Sequence, residues 1–366
     1  MKKIIRESQK LLANMYDDKN GLFSCRTRIL NGKYVNDFSN ESVIRYSINA
    51  LVGIQRAVKY WPDLIDFRFL IETFLSNQKH KVRNYGDMGL LVELLSEADH
   101  DAAPYYMKRI RKILEHNSGV PKMDLQEISW ISSGITAYAK KYQSDSEYGL
   151  AKKVFKLLNT HYLNRDTLLP FHSNQKHRRR FTAFGGIAYF LKALYEYSQA
   201  FSDKYVEKLF MELVLVVIEF QGPLGQWPWF YDVKCGRIVD YYQVYSVHQD
   251  SMAMLFLLPA LDMKVEKARE SILRSYRWLL GQNEMGVPMI SKEPFFIYRS
   301  IQRKGRWERG TRIARSVAKT FTRKKADQEK ASVLKVNREC RSYHLGWVLY
   351  VWSGRDDFSE FTDLQF

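Results

Sequence analysis

Two kinds of helical segment alternate along the whole chain. Segments at roughly 2–15, 63–77, 103–115, 145–162, 203–220 and 264–281 are amphipathic. In the last of them Val265, Ala268, Ile272, Tyr276 and Leu279 recur at helical spacing, with Lys, Glu and Arg on the other face. Segments at 40–58, 85–97, 125–141, 181–199, 244–261 and 342–353 are richer in small and apolar residues. A helix with one apolar face belongs at a surface, and one that is apolar all round belongs inside. Six of each, in strict alternation, predict an outer and an inner ring: an all-α (α/α)6 barrel, with no strand-like alternation of any length.

Loop lengths agree with that pairing. Links from an inner helix to the next outer one are short (59–62, 98–102, 142–144, 200–202, 262–263), whereas most links from outer to inner are long (16–39, 78–84, 116–124, 163–180, 221–243, 282–341). The long loops therefore gather on one face, at the N-termini of the inner helices. Function collects on loops held by a rigid scaffold, and helix N-termini offer N–H groups and partial positive charge to anions. This is the expected active face.

No Pro/Gly/Ser-rich linker divides the 366 residues, so residues 1–366 read as one toroid domain interrupted by a basic insertion at 283–341. The formal charge is +17, and residues 291–340 alone hold 15 Lys/Arg against 5 Asp/Glu. Ile301, Ile313, Val317 and Phe321, set among arginines, read there as a basic amphipathic helix. It would grip anions as a lid or lie on an anionic membrane surface. No motif of a nucleic-acid binder accompanies the charge, so nucleic acid is not an expected partner. Three scattered cysteines, no signal-type apolar core and no run of about 18 apolar residues point to a cytoplasmic protein, at most peripheral to the inner membrane face.

The heads of the inner helices collect Arg45, Tyr46, Asp87, Glu127, Trp130, Tyr245, His248, Asp250, Tyr343, His344 and Trp347. Loops add His172, Arg178, Arg180, Trp227, Trp229, Tyr241, Tyr242 and Arg341. Carboxylates, His, Tyr, Arg and Trp together are the contents of a sugar pocket, in which aromatic faces stack on rings and paired groups move protons. Asp250, with Asp87 or Glu127, is expected as acid and base, and His248, Tyr245 or His344 would assist. Arg45, Arg178, Arg180 and Arg341 would hold an anionic substrate, with Trp227, Trp229, Tyr241 and Trp347 as contacts. The competing reading for Glu127 is a capping box with Asp124, and for Gln249 one with Ser246. A carboxylate one turn into an apolar helix, as Asp250 is, costs several kcal/mol unless paired or wetted. Cys340 and His344 are too few for a zinc site, and no glycine fingerprint marks a nucleotide site, so no metal or cofactor is expected.

The turn Gln221, Gly225, Trp227 resembles the QW repeat of terpenoid cyclase and protein prenyltransferase toroids, with Gln282–Pro288 as a degenerate copy. Similar turns occur in (α/α)6 carbohydrate-active enzymes. The resemblance implies the toroid. Three functions are compatible with it: a hydrolase, lyase or epimerase acting on an anionic glycan or glycolipid, for instance in surface-polysaccharide biosynthesis; an isoprenoid enzyme; or a non-catalytic scaffold bound to membrane or partner.

Overall fold

The computed structural model describes residues 1–62, 65–116, 122–305 and 328–358. Among these residues twelve α-helices alternate between two rings. The inner ring is α2 (Val43–Ala57), α4 (Tyr85–Glu97), α6 (Leu125–Tyr142), α8 (Phe184–Phe201), α10 (Met254–Asp262) and α12 (Ser342–Trp352). The outer ring is α1 (Lys2–Asn14), α3 (Phe67–Gln78), α5 (Ala103–His116), α7 (Asp145–Leu157), α9 (Lys204–Ile218) and α11 (Lys267–Leu279). Each inner helix packs on the next, and α12 packs on α2, which closes the circle. The fold is an (α/α)6 barrel.

The two patterns separate for the reason periodicity gives. In α11 the residues at helical spacing, Ala268, Ile272, Tyr276 and Leu279, are at most 1 % exposed, while Arg269 and Arg277 face outward. In α12 every residue but Tyr343 is buried. Helix starts are set by side chains: Asn84 accepts from the Asp87 N–H, Asp66 from Phe69 and Asp203 from Val206. The ring closes through glycine. A methyl group on Gly53 of α2 would lie 2.7 Å from the Cα of Gly346 in α12, so the two backbones touch with no side chain between them.

The long loops carry what sequence periodicity did not show: short antiparallel strands. Arg26–Leu30 pairs with Lys33–Asp37, and Phe181–Ala183 with Phe230–Asp232 and Arg237–Asp240. Val244–Tyr245, Ser300–Arg303 and Leu334–Asn337 form a three-stranded sheet. None exceeds five residues, too short for alternation to register. Two further expectations are corrected. The inner helix expected at 244–261 begins as strand Val244–Tyr245 and passes through a wide π-type turn at His248–Met252 before α10. Ile301, expected on a basic helix, lies in the strand Ser300–Arg303; Ile313, Val317 and Phe321 fall outside the described residues. No helix among the described residues is long and apolar enough to cross a membrane.

Candidate active site

The three-stranded sheet lies at the N-terminal mouth of the barrel, and two of its strands, Ser300–Arg303 and Leu334–Asn337, belong to the basic insertion. Beside it opens a cleft of about 870 Å³ whose walls include Arg26, Arg28, Arg299, Lys335, Arg338 and Arg341. Trp229, Tyr245 and Gln243 also line it. Glu339 is the one acidic residue of that lining. Its Oε1 accepts from Arg299 and Arg341, both at 2.6 Å, and Arg28 lies 3.6 Å from Oε2. Burial works to raise the Glu339 carboxyl, but the arginine hydrogen bonds and charges prevail and hold it at about 2. Arg26 is paired with Asp37, so five further cations surround one fully engaged carboxylate and the lining carries net positive charge.

Beneath the cleft sit aromatic rings and two histidines. Tyr46 and Tyr343 pack at 4.5 Å between ring centroids. Arg299 lies 5.4 Å over the ring of Tyr245. His248 is stacked parallel to Trp229, with 4° between planes, and touches Tyr245 and Phe184. It is 3 % exposed, and its Nδ1 has no hydrogen-bond partner. Burial, with a smaller contribution from His344, lowers its pKa to about 3, so the ring is neutral at ordinary pH. His344, at the head of α12, meets Asp250 through Nε2 at 2.7 and 2.8 Å from the two carboxylate oxygens. Ser251 donates to the same carboxylate, and the Asp250 carbonyl accepts from the Trp352 indole at 2.6 Å. The cost of burying Asp250 is met by that imidazole. The wide turn His248–Met252 makes the geometry: an extra residue in the first turn swings His248 and Asp250 to positions a regular helix would not give them.

Other expected site residues are engaged elsewhere. Asp87 accepts from Arg45 Nε at 2.5 Å, and Arg45 lies over the ring of Trp130. Glu127 closes the capping box with Asp124 and accepts from Asn84 at 2.7 Å. Arg178 is paired with Asp124, next to His172, and Arg180 with Asp232. Trp227 is fully buried, donating to Ser275, while Gln221 bonds Gly225, Ser271 and Ser275; the QW-like turn staples the exit of α9 to α11. The Tyr241 carbonyl accepts the Trp229 N–H. Trp347 is buried below His344, against Tyr189. Gln249 bonds the Tyr245 carbonyl, and Ser246 donates to Tyr298, so these two form no capping box. Of the expected residues, the structure thus brings together Tyr245, His248, Asp250, Trp229, Arg341 and His344. The sequence reading had not singled out Arg26, Arg28, Arg299, Arg338 or Glu339. Arg299, Arg338 and Glu339 flank the paired strands Ser300–Arg303 and Leu334–Asn337, and Arg26 and Arg28 lie on the hairpin strand Arg26–Leu30; strands this short leave no alternation for a sequence reading to find.

No family model matches the chain, and no curated protein sequence matches it. Solved structures do. A sugar epimerase from a ruminal bacterium superposes with a TM-score of 0.65 at 13 % identity, covering 97 % of this chain and 99 % of its own. The cellobiose 2-epimerase of Bacillus thermoamylovorans gives 0.63 at 12 % identity, over 96 % and 99 % of the two chains. The GH76A alpha-1,6-mannanase of a Salegentibacter species gives 0.59 at 12 %, over 96 % and 98 %. At such identities the likeness establishes the (α/α)6 architecture.

Proposed function

We propose that the chain is a carbohydrate-active enzyme that epimerises or isomerises an anionic sugar unit by moving a carbon-bound proton. The observation that carries this reading is the pair of buried histidines, neutral His248 and the Asp250-bound His344, beneath an arginine-lined cleft. Two sugar epimerases among the structures of the same fold support it. Hydrolysis by two carboxylates needs one acid and one base facing the scissile bond across open space. The carboxylates expected for that work are engaged instead: Asp87 with Arg45, Glu127 in its cap and Asp250 with His344. Inactive variants of the mannanase lack two consecutive aspartates. Here such pairs are Asp17–Asp18, whose Asp17 binds its own turn, and Asp356–Asp357, beyond the C-terminal end of α12.

In the proposed reaction one imidazole accepts the proton from a carbon next to a carbonyl or carboxylate, leaving the electron pair as an enolate. The other histidine returns a proton to the opposite face. Asp250 holds the His344 ring and stabilises it when charged. Arg299 and Arg341 are the cations placed to offset the charge that grows on the enolate oxygen. A polar, cationic cleft of this kind suits a sugar better than an isoprenoid, for which a deep, wholly aromatic pocket would be expected.

The test is solvent-proton exchange. Anionic sugars, uronates first, are incubated with the protein in D₂O and followed by NMR. Deuterium should enter at one ring carbon, and His248→Asn and His344→Asn should each abolish it. Glycosidic cleavage without deuterium uptake, surviving both substitutions but not Asp87→Asn, would show a hydrolase and sink the proposal.

An anionic membrane is a second partner that the same surface would meet. Leu30, Val35 and Val333 are 55, 46 and 47 % exposed near Arg28, Lys33 and Lys335 on the loop face. Co-sedimentation with anionic but not neutral vesicles checks it.

A further inference from the structure

The barrel has a second end. There the C-terminal halves of all six inner helices enclose a cavity of about 350 Å³, lined by Arg56, Glu93, Thr136, Glu196, Leu258 and Tyr350, one from each helix. An aromatic belt lies between it and the mouth: Trp130 meets Tyr189 at 5.0 Å and Tyr189 meets Trp347 at 5.5 Å, all at most 3 % exposed. The cavity is therefore separate from the candidate active site.

Its wall is organised around one buried cation. Lys192 Nζ lies 2.6 Å from Glu93 Oε1 and 2.6 Å from Glu196 Oε1. Ser133 donates to Glu196 Oε2 at 2.5 Å and Tyr350 to Oε1 at 3.2 Å. This network satisfies both glutamates except at a single atom. Glu93 is 1 % exposed, and its Oε2 has no hydrogen-bond partner. Burial, partly offset by Lys192, raises the Glu93 carboxyl above the ordinary carboxylate range. The buried Thr136 hydroxyl also lacks a partner. Arg56 lies 4.8 Å over the face of Tyr350 and makes no hydrogen bond or ion pair to a described residue. Lys140 stands on the same wall. A buried polar atom without a partner is costly, and such atoms are rare in folded proteins. Two of them beside an unpaired guanidinium fit a ligand better than a structural ion pair alone.

We propose that this lower cavity is a second binding site for a small hydroxylated anion of monosaccharide size, a sugar acid or sugar phosphate. Its anionic group meets Arg56 and Lys140, and its hydroxyls meet Glu93 Oε2 and Thr136 Oγ1. The site stands whether or not the mouth is an epimerase.

The test is calorimetric titration of the whole protein with D-glucuronate, glucose 6-phosphate and, as a neutral control, glucose. Arg56→Met and Thr136→Val should each weaken binding of at least one anionic probe by about tenfold or more, and glucose should bind at least about tenfold less tightly. The same losses should appear in an Arg338→Ser background, in which anion binding at the mouth is weakened. Comparing the two anions tells carboxylate from phosphate. Thr136→Val keeps shape and removes only a hydroxyl without a partner, so it decides the matter if Arg56→Met does not fold. Equal affinity in wild type and Thr136→Val, glucose binding as tightly as the anions, or no binding below about 10 mM overturns the proposal.

Discussion

Replacing Gly53 by alanine tests the ring closure directly. The added methyl would lie 2.7 Å from the Cα of Gly346, against roughly 3.5–4.0 Å for ordinary carbon contact. The Gly346 carbonyl is closer still, so helices α2 and α12 would have to part by more than about 1 Å along their contact. The obstacle is backbone, so no rotamer change relieves it. Overpacking of a core costs about 1–3 kcal/mol, and backbone against backbone belongs at the upper end. Exchanging glycine for alanine inside a helix returns about 0.8–1 kcal/mol through propensity. The net expectation is a loss of roughly 1–2 kcal/mol. Gly149→Ala in α7 is the control, since a methyl there meets nothing within 4 Å. It should gain about 0.5–1 kcal/mol. Urea denaturation followed by circular dichroism, compared at constant m-value, measures both. Should Gly53→Ala match or exceed the wild type in midpoint, the glycine contact does not limit how closely these helices pack, and the reasoning fails.

Three other outcomes are expected. His248 stays neutral in the fold down to about pH 3, against an ordinary value of 6.5, so an unfolded chain takes up a proton that the folded one refuses. Stability should fall as pH drops from 6.5 toward 3, and His248→Gln should flatten that fall; parallel Tm-against-pH curves would refute it. Asp250→Asn frees the His344 ring and should slow deuterium exchange by about 10²–10⁴ while sugar affinity changes little; unchanged exchange rules out the dyad. Arg338→Ser should weaken an anionic sugar by roughly threefold to tenfold at low salt and make its binding less salt-dependent; a neutral sugar should show no difference.

Helix identity and ring membership were legible because each inner helix is apolar on nearly every face, and that pattern depends on neighbours in sequence alone. The mouth was not. Arg299 and Glu339 gain their place only when Ser300–Arg303 pairs with Leu334–Asn337 and Val244–Tyr245, contacts between segments tens of residues apart. His248 and Asp250 were found from their position in an apolar helix, but their roles changed: the wide turn gives the carboxylate to His344 and leaves the other histidine among aromatic rings. Asp87 and Glu127 looked catalytic by type, while a nearby arginine and a capping box, respectively, had stronger claims on them. The lower cavity leaves a trace in the sequence. Lys192 and Glu93 each interrupt an otherwise apolar run, and two opposite charges in buried helices of the same ring call for each other.

The basic segment differs from an ordinary surface addition. Its strand Ser300–Arg303 enters the sheet at the mouth, its last residues lead straight into α12, and Arg299 and Arg341 stand at these two junctions. Trimming it back to its stumps would remove the side of the cleft that Gln302, Lys335, Arg338 and Glu339 form. A chimera carrying this mouth on another barrel would need to transplant 26–37, 229–252 and 299–344 as one set, because no single graft contains both histidines and the arginines around them.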